Sequence, residues 1–167
     1  TQGVDIDARY IARTNWGRFT TRLNATYVDE FEEEGTECAG TNGCTNTYPR
    51  WKGYVSLDWD QGPWALTGRV NYIHSYHQQL LAGSFFTPQD PRIQTGTYPD
   101  KVPSYTTLDL FGRYTITPNF TVSASILNIT DETPPYDPGF SSTFMYDFTQ
   151  YDVRGRQYRI GLNYKFM

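Results

Sequence analysis

Trp51-Lys52-Gly53-Tyr54-Val55-Ser56-Leu57-Asp58-Trp59 and, five positions on, Trp64-Ala65-Leu66-Thr67-Gly68-Arg69-Val70-Asn71-Tyr72 are built to one plan: an aromatic ring returns eight positions after another. The same interval separates Phe19 from Tyr27 and Tyr158 from Phe166. Eight is even, so on a strand both rings project from one face. Between the rings that face carries Val55 and Leu57, Leu66 and Val70, Leu23 and Ala25, or Ile160 and Leu162. The opposite face carries Lys52, Ser56 and Asp58; Thr67, Arg69 and Asn71; Arg22, Asn24 and Thr26; Arg159, Asn163 and Lys165. Eight residues of tilted strand make a band about 20 Å tall, which matches the lipid-facing belt of a transmembrane β-barrel between its aromatic girdles. A soluble sandwich also alternates apolar with polar. It has no need of rings at a fixed height on strand after strand, whereas Trp and Tyr gain at a lipid–water boundary.

Bulk properties are consistent with this. The 167 residues are 17% aromatic, and the mean hydropathy of -0.62 is what a barrel with a wet interior would show. No apolar run reaches the length of a spanning helix. The net charge of -4 argues against a nucleic-acid partner. Thr1 opens directly in strand pattern without a secretory leader, so the chain is expected to be mature or internal.

Seven strands are predicted, at about residues 3–14, 18–30, 49–60, 64–78, 103–115, 120–131 and 151–166. Three connections are tight and hold turn residues: Asn15-Trp16-Gly17, Asp60-Gln61-Gly62-Pro63 and Ile116-Thr117-Pro118-Asn119. The other three, at about 31–48, 79–102 and 132–150, are long and alternate with the tight ones. Short turns at one rim and long loops at the other describe a bacterial outer-membrane barrel, with its short side in the periplasm. An odd strand number starting at the extracellular rim does not close such a barrel. The expected architecture is therefore an all-β, antiparallel transmembrane barrel segment whose remaining strands lie upstream or on another chain.

The last strand, Arg154-Gly155-Arg156-Gln157-Tyr158-Arg159-Ile160-Gly161-Leu162-Asn163-Tyr164-Lys165-Phe166-Met167, resembles the C-terminus of a TonB-dependent receptor. So do Val4-Asp5-Ile6-Asp7, Tyr48-Pro49-Arg50-Trp51, Val102-Pro103-Ser104-Tyr105, Ile126-Leu127-Asn128-Ile129-Thr130-Asp131 and Tyr151-Asp152-Val153-Arg154-Gly155-Arg156. The resemblance implies that these are the last seven strands of a 22-stranded barrel, without its N-terminal plug. It implies an assembly signal at Arg159, Gly161, Tyr164 and Phe166, read by the barrel-assembly machinery. It also implies uptake of a scarce nutrient (siderophore, carbohydrate, cobalamin or peptide) with energy relayed through TonB. Partners would be outer-membrane lipid and lipopolysaccharide, the receptor's other strands and plug, and a surface lipoprotein. Met167 after Phe166 departs from the family, which ends on the ring.

Cys38 and Cys44, six apart around Gly40 and Gly43, are expected to form a disulfide in a loop tip exposed outside the cell. No further ligands in zinc-motif spacing accompany them. His74 and His77, three apart, would face opposite ways on a strand and read as polar residues of the rim. The acidic run Asp29, Glu30, Glu32, Glu33, Glu34 and Glu37 reads as a solvated loop, with divalent-cation binding near lipopolysaccharide or repulsion of anionic competitors as the alternatives. Asn128-Ile129-Thr130 fits a glycosylation pattern but adjoins a strand. The third long loop mixes rings with acids, including Tyr136, Asp137, Phe140, Tyr146 and Asp147. These suit stacking on a ligand, and equally a loop packing its own rings. Neither a catalytic constellation nor a cofactor or metal site is expected. The competing architecture is a small structural or adhesive barrel closed by pairing with other copies, and a third is an outer-membrane enzyme with its catalytic groups upstream.

Overall fold

The computed structural model describes residues 1–78, 100–137 and 144–166. Phe140, Met167 and most of the second long loop lie outside the described residues. Seven strands form one antiparallel sheet: β1 (Gln2–Thr14), β2 (Gly17–Glu30), β5 (Trp51–Gln61), β6 (Trp64–Ile73), β9 (Tyr105–Thr117), β10 (Phe120–Leu127) and β11 (Gln157–Tyr164). Four two-residue strands, β3 (Glu32–Glu33), β4 (Thr36–Glu37), β7 (Tyr76–His77) and β8 (Lys101–Val102), pair off in the loops as β3 with β4 and β7 with β8. In the large sheet, spatial order is chain order, and β1 and β11 are its two edges.

Register carries the two-faced pattern across the whole sheet. Ala8 lies opposite Leu23, Leu23 opposite Val55, Val55 opposite Val70, and Val70 opposite Leu108. One same-face step nearer the tight turns, Gly68 lies opposite Leu110, Leu110 opposite Ile126 and Ile126 opposite Tyr158. A slip of one residue anywhere would turn a strand inside out. The rings meet at both rims. Tyr27 and Trp51 lie 4.7 Å apart beside the long loops, and Trp64 and Tyr114 lie 4.4 Å apart beside the tight turns. At the lower rim the Trp59 indole Nε1 also donates to the Trp16 carbonyl, 2.7 Å away.

Burial separates this sheet from a soluble one. Leu57, Leu66, Leu110, Ile160 and Leu162 are exposed along the middle of the apolar face. An unbroken apolar surface of this size needs a lipid or protein partner. Among the described residues the buried hydrophobic side chains are Cys38, Ala39, Ile73, Tyr76, Val102 and Tyr151, all at the long-loop end.

Strand ends depart from expectation in three places. The strand expected over 64–78 stops at Ile73, where Ile73 and Tyr76 turn into the core beneath the loops. The one expected over 120–131 stops at Leu127, because Asn128 takes φ 50 and cannot extend the ladder. The last begins at Gln157 rather than 151, after Gly155 at φ 64. A Cβ there would meet the Asp131 Oδ1 at 2.6 Å.

Candidate functional site

Two surfaces can carry function: the cap of loops and the wet face of the wall. The cap starts at the acidic run. Glu34 at φ 51 and Gly35 at φ 81 turn β3 back onto β4. The Glu37 carboxylate accepts from the Ala39 N at 2.7 Å and the Phe31 N at 3.2 Å, and these backbone donors hold its pKa below the ordinary carboxylate value. Glu33 accepts from the Thr45 N at 2.9 Å. Two of the run's six acids, Glu33 and Glu37, thus tie their own loop, while Glu32 and Glu34 face solvent.

Cys38 and Cys44 form the disulfide, with Cα atoms 5.8 Å apart. The expected exposed tip is corrected: Cys38 is buried, its N donating to the Phe31 carbonyl at 2.7 Å, and the Phe31 ring stacks on Tyr48 at 4.1 Å. The Glu33 carboxylate comes within 4.8 Å of both sulfurs. With both sulfurs spent on each other, no thiolate is left to ligate a metal.

The third loop reaches this one through Asp137. Its Oδ1 accepts from Asn42 Nδ2 at 2.8 Å and its Oδ2 from Tyr76 Oη at 2.6 Å, with Asp137 wholly buried. Burial first, and then the Asp137 charge, push the Tyr76 phenol well above its ordinary range. Asp147 is buried too and closes its own turn, its Oδ1 accepting from the Thr149 N at 2.8 Å. The Asp137 N donates to the Met145 carbonyl at 2.8 Å, so Tyr136 and Asp137 are brought beside Tyr146 and Asp147. Of these four, Tyr136 is exposed and Tyr146 packs half-buried on the core, while both carboxylates point inward. Phe144 and Phe148, which present rings outward beside each other at 5.5 Å, carry more of the accessible aromatic surface.

His74 and His77 do not converge. The Tyr72 hydroxyl lies 2.7 Å from His74 Nδ1, and His77 Nδ1 lies 3.8 Å from Asp100. Asn128 is buried, with its amide bonded both ways to the Glu132 backbone, so it is a corner residue rather than an exposed acceptor for sugar. The Asn128 N donates to Asp109 Oδ1 at 2.9 Å, and Asp109 also accepts from Asn71 Nδ2 at 2.8 Å. Asp131 in turn accepts from the Arg156 N at 2.8 Å. These bonds join the two most distinctive sequence pieces, 128–131 and 152–156, into a single corner. Asp109 was missed in the sequence, although an acid on the wet face near the end of a strand was the signal available.

On the wall, Arg22 pairs with Asp58 at 2.7 Å and Arg18 with Asp60 at 3.1 Å. The Arg69 guanidinium lies 4.7 Å above the Tyr54 ring, a cation–π contact. At the far edge, Gly161 stands opposite Ser123, and Tyr164 touches both Phe120 and Phe166 at 6.3 Å and 4.8 Å. Arg159 projects from the wet face with one long bond to Gln157 at 3.3 Å.

Against known families, residues 1–129 match the model described as TonB dependent receptor-like, beta-barrel. The chain belongs to the TonB-dependent receptor β-barrel family. Its barrels are outer-membrane proteins of transport receptors. No curated protein matches the chain by sequence. Among solved structures, the chain is similar to "Copper transporter OprC", with TM-score 0.59 and 17% identity over 98% of this chain and 23% of that one. It is likewise similar to the ferric enterobactin receptor PfeA from Pseudomonas aeruginosa, with TM-score 0.60 and 16% identity over 98% of this chain and 22% of that one. The siderophore receptor PiuA from Acinetobacter baumannii gives TM-score 0.54 and 14% identity over 93% of this chain and 20% of that one. The chain thus spans less than a quarter of these TonB-dependent receptor structures.

Proposed function

We propose that this chain is the C-terminal barrel portion of a bacterial outer-membrane receptor that takes up a scarce nutrient of the siderophore, carbohydrate, cobalamin or peptide class. Its contribution is seven strands of wall out of 22, the assembly signal of Arg159, Gly161, Tyr164 and Phe166, and a cap that supplies part of the ligand surface. The plug, and through it TonB, belong to the remainder of the receptor. The barrel-assembly machinery inserts it beside lipopolysaccharide, and a surface lipoprotein would sit over the cap. It performs no chemistry of its own.

The observation that supports this reading most is the pairing of a two-edged sheet with loops gathered at one end. Among the described residues both β1 and β11 have a free side, and a sheet edge in a bilayer has to be paired. The cap is stapled and hydrogen-bonded across loops distant in sequence, as a surface that must hold a shape would be. Tyr136 and Tyr146, with Phe144 and Phe148, are the rings such a ligand would meet, held in place by Asp137 and Asp147. Growth of a strain lacking the gene on a panel of limiting nutrients tests the transport reading. A defect on one nutrient, restored by the gene, is expected; normal growth under every limitation overturns it.

A further inference from the structure

The loop-side half of the wet face holds a hollow of about 740 Å³, inside the range of about 300–1,000 Å³ usual for small-molecule sites. Its wall is β2, β5 and β6, each paired with a strand on both sides, so the hollow owes nothing to an open edge of the sheet. Residues 46–49 and 149–150 of two long loops complete it. Gln150 bolts loops to wall: its Oε1 accepts from Lys52 Nζ at 2.8 Å and its Nε2 donates to the Thr47 carbonyl at 3.3 Å. Register sets Asn24 directly opposite Tyr54 on one side and Asn71 directly opposite it on the other. The Arg69 guanidinium, which is not part of the lining, lies 4.7 Å from the Tyr54 ring centroid and holds the ring in place. An aromatic platform between two amides results.

Both amides are already oriented. Asn71 Nδ2 donates to Asp109 Oδ2 at 2.8 Å and to Thr107 Oγ1 at 3.1 Å, and Asn24 Nδ2 donates to Asp7 Oδ2 at 3.4 Å. A carboxylate only accepts, so the nitrogens face the acids and the two carbonyl oxygens are left for a donor from elsewhere. Charge narrows what that donor is. Among the described residues of the lining, Lys52 is the one cation, and there is no carboxylate, histidine or thiol. A bare metal ion would find no ligand of its usual kinds. An anionic chelate would meet acceptor oxygens and a single ammonium already bonded to Gln150, where anion recognition calls for several charged donors. A neutral molecule rich in hydroxyls matches what is present: its O–H groups donate to Asn24 and Asn71, and the C–H face of a sugar ring lies on an aromatic ring. We propose that this hollow binds a neutral saccharide, with Tyr54 as its stacking platform and the Asn24 and Asn71 oxygens as acceptors for its hydroxyls. The inference rests on the receptor reading and narrows the nutrient to the carbohydrate class.

The test is titration calorimetry on the full-length receptor in detergent, as the parent and as Tyr54→Ala, Tyr54→Phe and Asn24→Ala. The probes are short neutral oligosaccharides of gluco, xylo, galacto and manno configuration, a ferric tris-catecholate and copper(II). At least one oligosaccharide is expected to bind, with an affinity that does not fall as salt is raised to about 0.5 M. Tyr54→Ala and Asn24→Ala should each weaken it about tenfold, and Tyr54→Phe should keep it. The proposal is overturned if no oligosaccharide binds, or if both alanine variants bind like the parent while their barrels keep heat-modifiable mobility. Binding of the catecholate or of copper(II) in place of a sugar refutes the saccharide alone and leaves the receptor reading standing. That reading fails separately, by normal growth of the deletion strain under every limitation.

Discussion

Asn42 Nδ2 and Asp137 Oδ1, 95 positions apart in the chain, meet at 2.8 Å inside the cap. This bond ties the disulfide loop to the aromatic loop, as does Gln150 Nε2 donating to the Thr47 carbonyl at 3.3 Å, and Tyr76 holds the other carboxylate oxygen at 2.6 Å. Asp137→Ala would leave a buried amide and a buried hydroxyl without their acceptor, a loss of about 1–3 kcal/mol for each group. The effect is expected in the cap alone. Protease should cut within 31–50 sooner than in the parent, while heat-modifiable mobility of the barrel stays unchanged; equal cutting rates would contradict the tie.

The Cys38–Cys44 ring is short, so its entropic contribution is about 2 kcal/mol at most. Because Cys38 is buried, alkylation is expected only after reduction with the cap loosened. Cys38→Ser with Cys44→Ser should speed cleavage of the loop and leave insertion intact. Thiols that label without any reductant would refute the bond.

A Cβ added at Gly161 would meet the Ser123 Oγ at 2.6 Å. Gly161→Val is therefore expected to lower the yield of folded barrel in the outer membrane, and Ser123→Ala in the same chain to restore part of it. If the second change restores nothing, the glycine is needed by the assembly machinery's reading of the strand and not by the neighbouring side chain.

The two faces of the sheet should answer differently to charge. Leu57→Arg places a cation mid-belt and is expected to cost about 2–4 kcal/mol in lipid. Thr121→Arg on the wet face, opposite Asn163, should stay within about 0.5 kcal/mol. Urea unfolding in vesicles measures both, and similar losses at the two sites would mean that neither face meets hydrocarbon.

Acid acts on the approach to the last strand. The Arg154 guanidinium, at 2.6 and 2.9 Å, and the Arg154 N hold the Asp152 carboxyl far below the ordinary carboxylate range. A depressed folded pKa contributes stability that is complete above the unfolded value of about 3.9 and is lost as pH falls below it toward the folded one. Half exposure of the pair keeps the effect small. Exchange of the Arg154 amide is expected to quicken only below about pH 4, and in Arg154→Ala to lose that acid step. A step near neutrality would refute the assignment.

What was legible in the residue order is the part governed by a period of two. A face that must touch lipid, from Val4 to Leu162, is written as alternation, and rings eight positions apart in four of the strand segments set its height; neither needs a partner to be seen. The tight turns were legible for the same local reason, since Gly62 permits the positive φ that its turn takes and Pro63 and Pro118 fix their own φ. The cap was not. Asn42, Tyr76 and Asp137 have nothing in common until the loops cross, and a buried carboxylate looks like an exposed one on paper. Strand ends at Asn128 and Gly155 likewise follow from a corner closed by Asp109 and Asp131, contacts between segments far apart in the chain. Contacts with lipid repeat along a strand, whereas contacts between loops form once, and only the folded chain brings their partners within reach.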